Sequence, residues 1–129
     1  MSTQERSLGR RIATLFRRSR LYLDRAFEPL GLGGGLYLYL ALISRRDGIT
    51  QRQMAEELAL DEGTVARAVD KLVQEGWLKR EKDPRDRRAF RIYLGPKGVE
   101  RMPSILAGLQ SWDERLARGL SPRGEGGGT

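Results

Sequence analysis

The apolar positions of the chain repeat with a helical period near its start and again after a run of glycines. Residues 7–27 place apolar side chains three and four apart, which predicts an amphipathic helix that ends at Pro29 and Gly31. After the glycine-rich hinge at 33–35, residues 36–42 are apolar all round. That pattern predicts a buried central helix.

Two further helices follow, separated by a short turn. Thr50 and Gln53 have the Thr-x-x-Gln spacing of a capping box and open the first of them. Asp61 is a good N-cap for the second, which is expected to run to about Glu75 and to end at Gly76. This succession predicts a helix-turn-helix.

The period then changes from helical to alternating. Residues 77–82 predict a strand, residues 83–86 a turn, and residues 89–94 a second strand with apolar and polar side chains on opposite faces. Two strands and a charged turn directly after a helix pair form a β-hairpin wing. The predicted fold class is therefore mainly α with a small β-hairpin wing, a winged helix-turn-helix of the α+β type.

The last long helix is expected to open at Gly95-Pro96, because proline at the first helical position loses no hydrogen bond. Pro103 is expected to interrupt this helix and to kink it. Residues 121–129 are rich in glycine, and we expect them to form a disordered tail.

Composition limits the chemistry that the chain can perform. Its 129 residues carry a formal net charge of +7 and include neither cysteine nor histidine. Disulfides and thiolate metal sites are thereby excluded, and the commonest metal ligand and general base are missing. Nearly all carboxylates stand beside Lys or Arg in helical stretches. We therefore predict no catalytic residues, no metal site and no cofactor, and we do not expect an enzyme.

The positive charge indicates an anionic partner, for which nucleic acid and a membrane surface are the two candidates. The uncharged residues 31–44 are too few to cross a bilayer, and arginines interrupt the apolar stretches near the N-terminus in a way that fits no secretory signal. Membrane-surface binding needs one long helix with a basic face, whereas this charge is divided between the first helix and the wing. We therefore expect a cytoplasmic protein with no membrane partner.

The second helix of the pair separates its apolar from its polar positions as a DNA-reading helix must. Its apolar residues gather on one side, and Thr64, Arg67 and Lys71 fall on the other. In the major groove of double-stranded DNA, Arg67 suits guanine O6 and N7, while Thr64 and Lys71 suit phosphates or base edges. A solvated pair of Arg67 and Lys71 on an ordinary surface helix is the simpler alternative. This helix alone therefore does not decide between DNA binding and a solvated surface.

The wing favours the DNA interpretation. Residues 79–91 carry seven basic and three acidic side chains, and arginines on a narrow hairpin can enter a minor groove, where negative potential is focused. The candidate residues at its turn are Arg85, Asp86, Arg87 and Arg88. Asp86 precedes Arg88 by two residues and can therefore orient its guanidinium. A hairpin turn that serves only solubility is the alternative.

Taken together, these segments resemble the MarR family (multiple antibiotic resistance regulators). The segments that carry the resemblance are 50–58, 61–67, Gly76-Trp77-Leu78, Asp83-Pro84-Arg85-Asp86-Arg87-Arg88 and Gly95-Pro96-Lys97-Gly98. The match extends from about Leu8 to Leu120. An Asp-Pro-x-Asp-x-Arg wing followed by Leu-x-x-x-Gly is specific in combination, although no single piece is.

The resemblance implies a transcriptional regulator, expected to be a repressor, that binds a palindromic operator as a homodimer. Its groove helix would enter the major groove and its wing the minor groove. The family's DNA contacts fall on Arg52, Thr64, Arg67, Lys71, Asp86 and Arg88 of this sequence. In these roles Arg52 touches phosphate, Asp86 orients the Arg88 guanidinium, and Arg88 is the minor-groove arginine.

The resemblance also implies a division of the chain by role. Residues 1–30 form a dimerisation helix, 31–95 the DNA-binding domain, 96–120 a C-terminal dimerisation helix and 121–129 the tail. The family's final helix is not expected, because the sequence becomes rich in glycine where that helix would begin. We therefore expect a homodimer with a smaller or rearranged interface.

Two positions depart from the family pattern. Gly63 stands where many relatives carry a small polar residue, which puts one backbone contact in doubt, and Gly95 replaces a usual helix-capping hydroxyl.

Many relatives respond to small phenolic or other lipophilic anions. Candidate lining residues for a small lipophilic or aromatic effector are Phe16, Tyr37, Tyr39 and Trp112, although core packing explains them more simply. The alternative function is that of a shortened family member, which pairs with another regulator and binds little DNA of its own.

Overall fold

The computed structural model describes residues 3–120 of the chain, and the side chains of residues 7–118. The predicted tail, residues 121–129, lies outside the described residues. In chain order the elements are α1 (Thr3–Phe27), a 3₁₀ turn (Glu28–Leu30), α2 (Tyr37–Arg45), β1 (Ile49–Thr50), α3 (Gln51–Leu58), α4 (Glu62–Gln74), β2 (Leu78–Lys82), β3 (Phe90–Leu94) and α5 (Pro96–Leu120). The predicted fold class is confirmed.

The chain divides into two compact units. The first comprises the residues up to Gly35 together with those from Gly108 onward, and the second comprises Leu36–Ala107. Helix α5 begins in the second unit and ends in the first. The assignment of dimerisation and DNA-binding roles to residues 1–30, 31–95 and 96–120 stays a prediction.

The second unit combines the helix pair with a three-stranded antiparallel sheet of order β1-β3-β2. Ile49 stands opposite Ile92, and Leu78 opposite Leu94. The sequence predicted a two-stranded hairpin, and that prediction is incomplete because β1 was missed. A strand of two residues is too short to show an alternating pattern.

Local side-chain chemistry determines where the helix pair begins and ends. The Thr50 hydroxyl accepts from the Gln53 N–H, and the Thr50 N–H donates to the Gln53 side chain, each at 3.1 Å, which confirms the capping box. Asp61 caps α4 by accepting the Thr64 N–H at 3.0 Å. After α4, Gly76 adopts φ +84°, a left-handed conformation that ends a helix readily only at glycine.

The core of the second unit is built from the apolar side of α4 and from the strands. Val65, Val69 and Leu72 have no exposed surface, and neither has Trp77, which directly precedes β2. Helix α2 contributes five buried residues to this unit, which confirms it as a core helix: Tyr37, Tyr39, Leu40, Leu42 and Ile43.

The start of α5 lies too close to neighbouring backbone for a side chain at Gly95. A Cβ atom there would lie 2.5 Å from the Gly76 carbonyl oxygen and 2.9 Å from that of Leu78. The capping hydroxyl that the family usually carries at this position therefore has no room here. Helix α5 continues through Pro103, so the predicted interruption is wrong.

In the first unit, α1 begins at Thr3, earlier than the apolar pattern predicted, and buries Leu23 and Phe27. The Tyr22 ring stacks on Trp112 of α5, with 4.8 Å between ring centroids. Toward the N-terminal end of α1, a stripe of large apolar side chains stays 59–64% exposed: Leu8, Ile12 and Phe16.

Within residues 3–120, no helix combines the length and the apolar character needed to span a membrane.

Replacing Thr50 by alanine is expected to lower the free energy of unfolding by about 1 kcal/mol, because the α3 amides lose their cap. Chemical denaturation measures this change. As a control, Ser44→Ala removes a hydroxyl from inside α2 and is expected to cost less than about 0.5 kcal/mol. Equal losses in the two variants would contradict a capping role for Thr50.

Candidate DNA-binding surface

Helix α4 presents two different sides. One side is buried through Val65, Val69 and Leu72. On the opposite side Arg67 and Lys71 are exposed together with Gln74, and Thr64 is half-buried. The structure therefore places the three predicted α4 residues away from the core, on one outward-facing side.

A hydrogen-bonded chain organises the N-terminal end of that outward side. The Thr64 hydroxyl donates to Asp61 at 2.6 Å and accepts from the Arg67 guanidinium at 3.4 Å. Hydrogen bonds from the Thr64 hydroxyl and N–H hold the pKa of Asp61 below its ordinary value. Thr64 thus links the capping carboxylate of Asp61 to Arg67.

Gly63 has no side chain that could contact the Asp61 carboxylate or the Arg67 guanidinium. A Cβ atom at that position would lie 3.2 Å from an Asp61 carboxylate oxygen and 3.5 Å from the Arg67 guanidinium. The family's small polar residue would thus crowd the chain that joins Asp61 to Arg67.

The wing turn is organised around a buried carboxylate. Asp83 is 7% exposed and is the buried charged residue among the side chains that the structure describes. It accepts the Arg85 N–H at 2.8 Å, and its other oxygen lies 3.2 Å from the Arg91 guanidinium. The hydrogen bond from the Arg85 N–H, together with the charge of Arg91, holds the pKa of Asp83 below its ordinary value.

Asp86 and Arg88 lie close to each other at the wing turn. Arg88 is 97% exposed, its Nε lies 3.9 Å from Asp86, and its backbone N–H donates to the same carboxylate oxygen at 3.1 Å. Arg85 and Arg87 are also exposed. The tip of the wing therefore presents three arginines to solvent, one of them near the Asp86 carboxylate, and the orienting role of Asp86 stays a prediction.

Arg80 joins the wing to both helices of the pair, a role that was not predicted from the sequence. Its guanidinium donates to Asp70 of α4 at 2.6 Å and to Gln51 of α3 at 3.2 Å, and it lies 5.5 Å from the Phe90 ring centroid. Arg80 pairs in register with the buried Ile92. Partners in register lie on the same face of a sheet, so Arg80 faces the same way as Ile92, toward the interior. The alternation of side chains along β2 could therefore have indicated a structural role for Arg80.

Arg52 lies on the first turn of α3, with its side chain 80% exposed and 3.8 Å from Glu56. A pair this exposed contributes little stability, so Arg52 is free to exchange Glu56 for another anion. All eight predicted site residues lie in the second unit. Among the residues described, no cluster of acidic side chains is suited to hold a metal ion.

The aromatic residues considered for an effector pocket have different environments. Tyr37 and Tyr39 are buried in the second unit, at 1% and 4% exposure, whereas Phe16 is 64% exposed and Trp112 stacks on Tyr22. Burial raises the pKa of the Tyr39 hydroxyl. Packing in the second unit's core accounts for Tyr37 and Tyr39.

Comparison with known proteins gives these observations a context. A family model described as the MarR family matches residues 35–90. The chain is 28% identical to the HTH-type transcriptional regulator BilQ of Clostridioides difficile over 118 residues, which cover 92% of this chain and 80% of BilQ. A crystal structure of a MarR transcriptional regulator from Methanosarcina mazei Go1 is 36% identical and covers 92% of this chain and 85% of that one, with a TM-score of 0.82.

A crystal structure of a mutant MarR from E. coli, complexed with operator DNA, has the same fold at a TM-score of 0.78. It is 24% identical to this chain and covers 93% of this chain and 86% of that one. The family consists of transcriptional regulators and not of enzymes. Since identity of 36% extends over most of both chains, this chain belongs to the MarR family.

Proposed function

We propose that the protein regulates transcription by binding a palindromic site in double-stranded DNA as a homodimer, with α4 in the major groove and the wing in the minor groove. The observation that carries this proposal is the two-sided α4. Its apolar side has no exposed surface at Val65, Val69 and Leu72, while Arg67 and Lys71 point outward. A helix anchored in this way can present donors to base edges without moving relative to its own core.

The wing supports the same proposal. Arg88 is almost fully exposed, its backbone N–H donates to Asp86, and its Nε lies 3.9 Å from the same carboxylate oxygen. A turn whose backbone is ordered before binding loses less freedom when its arginine enters a narrow minor groove. The relative from E. coli that was crystallised with operator DNA shares this fold.

The apolar stripe on α1 supports the homodimer. Leu8, Ile12 and Phe16 are spaced four residues apart, so they lie on one side of the helix. Soluble monomers rarely leave a contiguous stripe of large apolar side chains exposed to water. A second copy of the chain is the partner that the proposed palindromic site requires.

Repression, and release by a small lipophilic or aromatic effector, remain part of the proposal. In the first unit, an open surface groove of about 490 Å³ runs along α1. Its lining residues include two arginines beside apolar surface: Arg18, Leu21, Tyr22, Arg25 and Ala26. This combination suits a lipophilic anion, because the arginines can pair with its charge.

Selection from a pool of random duplexes tests the proposed function directly. We expect the purified protein to enrich an inverted repeat whose half-sites lie about one helical turn apart. If no sequence is enriched and binding disappears at modest salt, the proposal fails. An interaction partner with little DNA binding of its own then becomes the better explanation.

Arg88→Ala is expected to weaken binding to the enriched duplex by about tenfold or more, because one minor-groove contact is lost. Electrophoretic titration at constant salt measures the affinity. Arg101→Ala is the matched control, since it removes an arginine of the same unit that pairs with Glu100 on α5. Equal weakening by the two variants would show that only overall charge matters.

Phe16→Glu is expected to shift the protein toward monomer, because it places a charge on the most exposed side chain of the apolar stripe. Sedimentation equilibrium measures the change. Leu21→Glu is the control on the same helix: Leu21 is 60% exposed but lies about 140° around α1 from Phe16. If Leu21→Glu dissociates the dimer and Phe16→Glu does not, the stripe is not the interface.

A further inference from the structure

The wing leaves the sheet as a loop that is closed at its base. The Asp83 N–H donates to the Ala89 carbonyl at 3.0 Å, and the Ala89 N–H donates to the Asp86 carbonyl at 2.9 Å. Inside the loop, Asp83 accepts the Arg85 N–H. These three bonds constrain the loop at both ends, with the Asp83 side chain as the acceptor on its inner side.

Arg91 connects this carboxylate to a distant part of the second unit. One arm of its guanidinium lies 3.2 Å from Asp83, and the other donates to the Gly48 carbonyl at 2.7 Å. Gly48 belongs to the turn between α2 and β1, and its N–H donates to the Ile92 carbonyl at 2.9 Å. The wing base is thus joined, through Arg91, to the turn that precedes the helix pair.

We propose that Asp83 and Arg91 are positioning residues, which hold the wing so that Arg88 meets the minor groove, and that Arg91 acts through Asp83 rather than on DNA. This inference rests on the proposed function. Arg91 has a buried carboxylate and a backbone carbonyl as its partners, and both lie within the second unit. Arg88, by contrast, is almost entirely exposed.

Electrostatics alone predicts the opposite role for Asp83. A carboxylate in a DNA-binding hairpin repels phosphates, so its neutralisation should tighten binding. If Asp83 instead orders the loop, neutralisation frees backbone that must be ordered again on binding, and affinity falls. The sign of the change therefore distinguishes the two roles.

The first measurement compares Asp83→Asn with Glu81→Gln on the duplex enriched by wild type. Glu81 stands opposite Arg91 in register but pairs with Lys79 at 3.5 Å and is 55% exposed, so its variant removes the same charge and leaves the Asp83–Arg91 pair intact. We expect Asp83→Asn to weaken binding about tenfold, and Glu81→Gln to leave it unchanged or tighter. Tighter binding by Asp83→Asn overturns the inference.

The second measurement asks whether Asp83 acts through Arg88. In an Arg88→Ala background, Asp83→Asn should change affinity by less than about twofold, since the arginine that Asp83 is proposed to position is gone. If the affinity losses of Arg88→Ala and Asp83→Asn multiply in the double variant, Asp83 does not act through Arg88.

Arg91→Lys provides a second variant that keeps the charge but cannot hold Asp83 and the Gly48 carbonyl together. It should weaken binding as Asp83→Asn does, and wild-type affinity would count against the proposal.

Hydrogen exchange of the free protein tests the positioning without DNA. The amides of Arg85 and Ala89 should exchange faster in Asp83→Asn, while those of Val69 and Leu72 in α4 should exchange at the wild-type rate. The inference is overturned if the wing amides exchange at the wild-type rate in Asp83→Asn, or if amides exchange faster throughout the second unit. If wild type enriches no duplex, the proposed function fails, and the exchange data still decide whether Asp83 holds the wing.

Discussion

The arrangement of the second unit depends on the burial of one side of α4. Val65, Val69 and Leu72 have no exposed surface, and Trp77, three residues beyond the end of α4, has none either. Rotating α4 by even a fraction of a turn would bring apolar surface into water and polar groups into the core, and each costs free energy. The hydrophobic effect thereby also determines which residues of α4 face outward, although those residues contribute little to stability themselves.

The charged residues of this unit fall into two groups that sequence composition does not separate. Arg80 and Arg91 are committed to carboxylates and polar groups inside the unit, and they fix the wing relative to α3, α4 and the turn at Gly48. Arg88 has an almost wholly solvated side chain. The net positive charge of the hairpin therefore overstates how many of its cations are available to a polyanion.

Much of this architecture could be predicted from the sequence, because helix caps and hydrophobic periods are local signals. Thr50, Asp61 and Gly76 mark boundaries that the structure confirms. The roles of Arg80 and Asp83 could not be predicted in the same way. Their partners Gln51 and Arg91 lie on other elements, and a period indicates which side a residue faces but not which atoms it meets. Strand β1 was missed because its two residues are a strand only through their pairing with β3, which is distant in sequence.

The two tryptophans of the chain divide between the two units, and this has a spectroscopic consequence. Trp77 in the second unit is fully buried, and its indole N–H has no hydrogen-bond partner among the described residues, whereas Trp112 in the first unit is partly exposed and stacks on Tyr22. Burial away from water shifts indole fluorescence to shorter wavelength, and contact with water shifts it to longer wavelength. The emission spectrum of the unmodified protein therefore contains a separate optical reporter for each unit.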